Sequence, residues 1–465
     1  MATIDYSKQI PVRRSADVLV VGGGPAGCAA AWAAAKSGAD VFLAEALNCL
    51  GGLGTAGLVP AYMQFGDGVN DLSAGFGSTL FGRLKNLGAK LGQPQLAYEI
   101  RAENLKRVSE EMLIEAGVEI AFHTQLIDVL CNESDNSTRE NDGAGTGSDK
   151  EIGPRNGEDS CSRTINAAVF AAKSGIFAVK AKIYVDCTGD GDLCAWAGAP
   201  FELGDENGNT MAATLCQLWT NIDWPYVHGA DDRELGRAIA DGVFPIPDMH
   251  LPGMWKISES GIGGGNIGHV YDVDPTDERT LTKGLIYGRK LIDCYLNYYR
   301  HYLHGFEKME LVTTGALLGI RESRRITGEE RMELAHFHNQ AVFENEIGRY
   351  AYPVDIHAGV ATQEAFEKFH TEHTTLRYKQ GENYGIPYGA LVPKRLTNVL
   401  VAGRCLSSDR EMQSSARVMP GCYITGQAAG AAAALSASTG RRPRNADVKE
   451  IQRRLLGLGA YLPNA

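Results

Sequence analysis

Asp17-Val-Leu-Val-Val-Gly-Gly-Gly-Pro-Ala-Gly27, followed by an alanine-rich run and then Val41-Phe-Leu-Ala-Glu45, reads as strand, glycine turn, helix and second strand. Each glycine has a separate task. Gly22 permits the tight turn, Gly24 lets the backbone approach a pyrophosphate, and Gly27 lets the helix pack closely on the sheet. The helix N-terminus offers free N–H groups and the positive end of its dipole to phosphates. Glu45 ends the second strand eighteen residues after Gly27. There a carboxylate can accept hydrogen bonds from an adenosine ribose. A bare GxGxxG says little; this one has its strand, its helix and its acid within about thirty residues.

Outward from that unit, composition sets the frame. A chain of 465 residues with 44% hydrophobic content can bury a large core and is expected to form two domains. A net charge of −11 without a basic cluster argues against a nucleic-acid partner. Arg13-Arg14 precedes an apolar run, but Asp17 interrupts that run, which already belongs to the nucleotide-binding strand. No uninterrupted apolar stretch reaches the roughly eighteen residues of a membrane span. The ten cysteines are scattered without a CxxC pair, which points to reduced thiols and a cytoplasmic location.

The helix is expected over Ala26 to Ser37 with Gly38 beyond it, and a second helix over Arg101 to Gly117. Val118 to Leu130 reads as strand, turn, strand. Between Asn132 and Arg163 the composition turns to Asn, Asp, Gly, Ser and Glu, which predicts a disordered insert (132–162) in a hairpin loop. Ile176 to Gly189 returns to strand and stops at Thr188-Gly-Asp-Gly-Asp192, a turn in which Asp192 can cap the next helix. Asn398 to Gly403 reads as a buried strand and Met419 to Leu435 as a helix starting at Pro420. Gly426 and Gly430 suit close helix–sheet packing. These readings assign 12–60, 100–131, 163–200 and 386–440 to a discontinuous nucleotide-binding domain. They leave 61–99 and 201–385 to a substrate or cap domain.

Together, Val20–Gly27 with Glu45, Leu50-Gly-Gly52, Asp186–Asp192, Gly319–Gly328, Tyr384–Tyr388, Val401–Ser407, and Ser415–Pro420 with Gly426–Gly430 carry a resemblance. The chain resembles FAD-dependent oxidoreductases of the glutathione-reductase structural type, in particular the group associated with the FAD subunit of heterodisulfide reductase. The resemblance spans Val18 to Leu435 apart from the insert. It implies an α/β fold, a Rossmann-like FAD-binding domain interleaved with a mixed α+β substrate domain, and a tightly held FAD. By the same resemblance Gly22, Gly24, Pro25, Ala26, Gly27, Glu45 and Ala46 hold the ADP half. Gly51, Gly52 and Thr55 line the approach to pyrophosphate and flavin, and Gly189 and Asp190 close the site. Gly403, Arg404, Arg417 and Gly421 surround the ribityl chain and the pyrimidine edge. Arg417 and the N-terminus of the helix at Pro420 suit the negative charge that two-electron reduction leaves there.

Two family features are missing. Cys49 stands without the second cysteine of a Cys-x4-Cys redox pair, and no cysteine set has iron–sulfur spacing. Cys187 and Cys194 read as small buried fillers. Gly263-Gly-Gly-Asn-Ile-Gly268 is a formal second GxGxxG, but Asp272, Asp274 and Pro275 stand where its helix should be, so no second dinucleotide unit is expected. His336-Phe-His338 alternates in a helix and cannot put both rings on one face, His301/His304 and His370/His373 lack a nearby carboxylate set, and no metal site is expected. Tyr298, Tyr299 and Tyr302 read as core or interface.

For chemistry the candidates are His357, within Tyr352-Pro-Val-Asp-Ile-His357, then Tyr384 and Tyr388. Arg321, with Glu322, Arg324 and Arg325, can bind a carboxylate or polyol, or form an ion-pair network. Asp409, Arg410 and Glu411 are candidates for the flavin's reactive face. The expected function is hydride transfer between FAD and a small organic substrate (alcohol, amine or sugar-like), with an unidentified electron acceptor and a possible homo-oligomer. The alternative is a flavin subunit that relays electrons between protein partners.

Overall fold

A computed structural model describes residues 4, 7–89, 98–133, 162–227, 232–248, 253–372 and 376–465. The opening stretch forms β1 (Val12–Val21), α1 (Pro25–Lys36) and β2 (Val41–Ala44). The ladder of β3 (Ala61–Tyr62) and β4 (Tyr98–Glu99) brackets α2 (Phe76–Asn86), and α3 (Ala102–Glu115) and β5 (Glu119–Ala121) follow. Then come β6 (Gln125–Glu133), β7 (Arg163–Ala172), β8 (Gly175–Asp186) and α4 (Asp192–Trp196). The middle third holds β9 (Phe201–Glu202), β10 (Gln217–Thr220), α5 (Asp232–Ala240), β11 (Met254–Ser258), β12 (Ile262–Gly265), α6 (Glu278–Tyr302) and β13 (Glu310–Thr314). After it run β14 (Arg325–Ile326), α7 (Leu334–His338), β15 (Glu346–Tyr350), α8 (Gln363–Glu372) and β16 (Tyr384–Pro387). The chain ends with β17 (Val399–Val401), α9 (Arg410–Ala416), α10 (Met419–Thr439) and α11 (Val448–Gly457).

The main sheet has the order β5-β2-β1-β8-β7-β6, and β17 also pairs with β8. β8 is long enough to serve two neighbours on one edge. Its first half runs antiparallel to β7, and its last residues, Tyr184 to Asp186, run parallel to β17. Parallel pairing aligns Ala44, Val21, Asp186 and Val401 side by side. Four strand ends therefore deliver four loops to one edge, where ligands bind in open α/β sheets.

Both sheet faces are covered, so β1 is buried from Val18 through Val21 rather than alternating with solvent. Val18 and Val20 share a cluster with α1, α3 and α10, while Leu19 and Val21 pack with β6, β7 and α4. Gly426 and Gly430 pack tightly, but against α1 rather than the sheet. A Cβ on either would stand 2.2 Å from the carbonyl oxygen of Ala26 or 2.1 Å from that of Ala30.

A second, antiparallel sheet, β11-β12-β10-β13, carries α6 and a core of Trp219, Tyr295, Tyr298, Tyr299 and Phe306. The second glycine motif lies here as strand β12, antiparallel on both sides. Its glycines admit close neighbours: a Cβ on Gly264 would meet Pro60 at 2.3 Å.

The boundaries drawn from sequence need correction. α2, expected in the cap, packs on α1, α3 and α10, and the β15–β16 pair lies against α10 in the main core. Apolar faces such as Phe76, Leu80 and Leu84 say that a helix is covered, not by what. Asn132 and Glu133 extend β6 and pair with Thr164 and Arg163, so the hairpin reaches into the expected insert. The rest of that segment, 134–161, lies outside the described residues. Among the described residues no helix is long and apolar enough to cross a membrane.

Candidate active site at the parallel strand ends

The aligned strand ends open on a chamber of about 370 Å³, lined by Gly22, Gly24, Pro25, Ala26, Glu45, Ala46, Gly52, Thr188, Gly189, Asp190, Gly403 and Arg404, among others. Gly22 turns at φ +96°, and a Cβ on it would sit 2.4 Å from the Cys187 carbonyl oxygen. On Gly27 a Cβ would meet the Gly22 carbonyl oxygen at 1.8 Å. Gly24 is the opposite case: a Cβ there would meet nothing within 4 Å and would occupy the chamber itself. The turn, the close packing and the open approach thus fall on the three glycines as the spacing demands. No side chain caps α1, so its first N–H groups remain for a ligand.

Glu45 is buried, which pushes its carboxyl up, while the N–H groups of Gly23 (2.5 Å) and Leu47 (2.8 Å) donate to it and pull the other way. It ties both strand ends together as well as facing the chamber. Opposite, Arg404 donates to the carbonyls of Gly189 (2.7 Å) and Ile320 (2.6 Å) and pairs with Asp190 at 2.9 Å. Asp192 is not the cap expected of it. Thr188 Oγ1 accepts from Asp192 N and Asp186 accepts from Cys194 N, while Asp192 pairs with Arg324.

Of the predicted cofactor residues, Gly27, Gly51, Thr55 and Gly421 do not line the chamber; the first three shape it. Thr55 Oγ1 donates to the Leu50 carbonyl at 2.6 Å and holds the turn in which Gly51 (φ +93°) and Gly52 (φ +53°) are left-handed. Gly421 requires correction: it packs in α10, where a Cβ would meet the Ala416 carbonyl oxygen and the Tyr350 ring.

A second chamber, about 250 Å³, adjoins the first and shares Leu53, Ile320, Arg404, Arg417 and Met419 with it. Thr214, Asn266, Arg321, Tyr352, Asp355 and His357 line the remainder with apolar neighbours. Arg417 Nη2 donates to the Asp355 carbonyl and carboxylate, both at 3.1 Å. Tyr352 donates to the same carboxylate at 3.1 Å. Burial alone would raise Asp355, but His357, Arg417 and Arg321 hold it well below the usual carboxylate range. His357 Nδ1 lies 3.1 Å from His269 Nε2, and His269 Nδ1 lies 2.5 Å from Asp248. Burial and the Arg321 charge hold His357 well below the ordinary histidine value, and burial lowers His269 too, so both rings are neutral near pH 7.

Two catalytic candidates therefore reach the chamber, His357 and Arg321, and two do not. The Tyr384 hydroxyl is buried 2.8 Å from Ser415 Oγ, and Tyr388 donates to the Pro443 carbonyl at 2.9 Å. Both are core residues whose hydroxyls find partners because they are buried. Asp409 accepts from the N–H groups of Met412 and Leu334, and Arg410 pairs with Glu322. With Glu411 they line a separate basin that His357 also borders. Glu322, Arg324 and Arg325 form ion pairs, as one of the two sequence readings had it. The residues missed are Asp248, His269, Asn266, Thr214 and Asp355. Only Asp355 had a signal, two positions from His357; the others join the site through the second sheet and its flanking loops.

The residues fit a dinucleotide: a chamber left open at Gly24, an uncapped helix end beside it, and an adjoining second chamber. This fold and site are those of a dinucleotide-binding α/β protein. The FAD-dependent oxidoreductase family model matches residues 17–455, so the chain belongs to that family; it is an oxidoreductase and FAD is its cofactor. Among solved structures, similarity extends to a geranylgeranyl bacteriochlorophyll reductase-like protein from Thermoplasma acidophilum (13% identity, 96% of this chain and 83% of that one, TM-score 0.44). It extends also to the p-nitrophenol 4-monooxygenase of Pseudomonas putida DLL-E4 (13%, 95% and 84%, TM-score 0.45). A flavoprotein/dehydrogenase from Cytophaga hutchinsonii is a further match (12%, 96% and 84%, TM-score 0.42). No curated protein sequence matches the chain.

Proposed function

We propose that this enzyme moves a hydride between FAD and a small organic substrate, at an alcohol, amine or sugar-like carbon, held in the second chamber. The observation that supports this most is His357. It is a buried ring on that chamber, held neutral, with a second neutral imidazole 3.1 Å behind it. When bound, FAD supplies a two-electron acceptor or donor. The chain supplies the rest. His357 takes the proton that leaves the substrate heteroatom, and Asp355, 3.4 Å from its Nε2, favours the cationic ring that forms. His269 and Asp248 receive charge behind it. Leu53, Val59, Met63 and Met419 supply the chamber's apolar wall.

The glutathione-reductase structural type, the kinship with heterodisulfide reductase FAD subunits and a cytoplasmic location belong to the same reading, supported by the quoted motifs and the scattered thiols. Anaerobic titration of the FAD-loaded protein with alcohols, amines and sugars, each with and without an acid group, tests it. At least one should bleach the flavin, and His357→Asn should slow that step by about 10²–10⁴-fold. If none does so while a reduced protein partner does, the electron-relay alternative stands instead.

A further inference from the structure

The charges around the second chamber do not balance. Arg321, Arg404 and Arg417 line it, and Asp355 is the sole carboxylate among its lining residues. Arg404 is committed to Asp190 and two carbonyls, and Arg417 to Asp355. Arg321 is 7% exposed and uses Nη1 alone, donating to the Ala212 carbonyl (2.7 Å) and Thr214 Oγ1 (2.8 Å). Both acceptors are neutral, and among the described residues no carboxylate forms an ion pair with it. The neighbouring Glu322 is turned away, taken by Arg325, Arg410 and the Met211 N–H. A guanidinium buried without an anion is costly, and its planar fork matches a carboxylate better than any other donor does.

Other groups point the same way. Arg417 Nε is buried without a partner among the described residues. Asn266 lines the chamber and accepts from Cys216 Sγ, while its amide donor is not used by any described protein group. Val418 and Met419, which open α10 without a side-chain cap, complete the wall. The chamber therefore offers several donors, and its one carboxylate is already engaged.

We propose that the chamber takes a small organic acid, whose carboxylate docks on Arg321 and Asn266 while the carbon to be oxidised or reduced lies toward the wall shared with the FAD chamber. This rests on the function proposed above and narrows its substrate to the acid-bearing members: hydroxy, amino or sugar acids. A volume of about 250 Å³ is below the roughly 300–1,000 Å³ of sites for drug-sized ligands, which fits a small acid.

Calorimetric titration of the FAD-loaded protein with glycolate, malonate and benzoate, each against its amide, and with inorganic phosphate, tests the assignment. The flavin absorption band is followed in parallel. At least one acid should bind and shift the band, with its amide at least tenfold weaker. Arg321→Gln should weaken that acid by about ten- to hundred-fold with FAD retained, and Arg321→Lys should recover part of the loss. Should Arg321→Gln misfold, the near-isosteric Asn266→Asp should abolish acid binding by placing a second negative charge beside the first. Equal binding of acid and amide, no binding by any acid, tighter binding of phosphate than of every acid, or unchanged affinity in both variants overturns the proposal. Reduction of the flavin by a neutral substrate would refute it while leaving the hydride-transfer function intact. Absence of FAD would sink that function, and the same titrations on the FAD-free protein would still read Arg321.

Discussion

Arg417 stands in the wall between the two chambers, with its Nη2 on Asp355 and residues of the α10 N-terminus beside it. On the proposed placement of the cofactor's pyrimidine edge at this wall, its charge would favour the negative charge that reduction leaves there. Arg417→Ala should keep FAD if the glycine turn and Glu45, which line the first chamber, hold the other end as proposed. It should nonetheless lower the two-electron potential, since a cation is lost and the buried Asp355 loses its partner. A contact of about 1–3 kcal/mol corresponds to roughly 20–65 mV for this couple. Spectroelectrochemistry of both proteins measures it; an unchanged potential would remove Arg417 from the pyrimidine edge. Glu45→Ala should do the reverse, weakening FAD retention with little change in the potential of the flavin that remains. Residue roles were legible in the sequence where backbone geometry dictates them. Gly22, Gly24 and Gly27 do what their spacing demands. They were not legible where a contact joins distant segments: His357 meets His269 across 88 residues, and Tyr384 turns inward to Ser415.

Helices α1 and α10 pack against each other along their length, and glycine makes the close approach possible. Gly430→Ala would put a methyl 2.1 Å from the Ala30 carbonyl oxygen, and Gly426→Ala one 2.2 Å from that of Ala26. Backbone cannot yield as a flexible side chain does, so each change should cost about 1–3 kcal/mol or more. Because α1 carries the dinucleotide turn, FAD retention should fall together with the melting temperature. Gly457→Ala in α11, where a Cβ meets nothing within 4 Å, is the control and should be neutral or slightly stabilising. Thermal unfolding and bound flavin per chain measure both effects; a neutral Gly430→Ala would show that the helices separate easily. Strongly patterned elements were legible: α1, β2, α3 and β8 lie within a residue or two of expectation, while β1 starts five residues before Asp17 and α10 runs four residues past Leu435. The partner of α10 was not, because an all-alanine face fits a sheet or a helix equally well.

At the scale of the molecule, the chain leaves the main sheet and returns to it, and composition marks one departure sharply. Residues 134–161 join two strands whose last pair, Glu133 with Arg163, is already in register. Antiparallel strands close with two to five residues, so this connection is far longer than the hairpin needs. Removing it also shortens a loop whose closure opposes folding only weakly. Deletion of 134–161 with a Gly-Ser join leaves a three-residue loop including Ser162. FAD per chain should be unchanged and the melting temperature should stay within about 2 °C, as for other changes away from a core. The two candidate chambers are lined by the loops that follow β1, β2, β8 and β17, by residues of α1, α6 and α10, and by loops flanking the second sheet, none of which the deletion removes. Loss of flavin or aggregation of the shortened protein would show that the segment belongs to the fold and that the boundary at Glu133 is wrong.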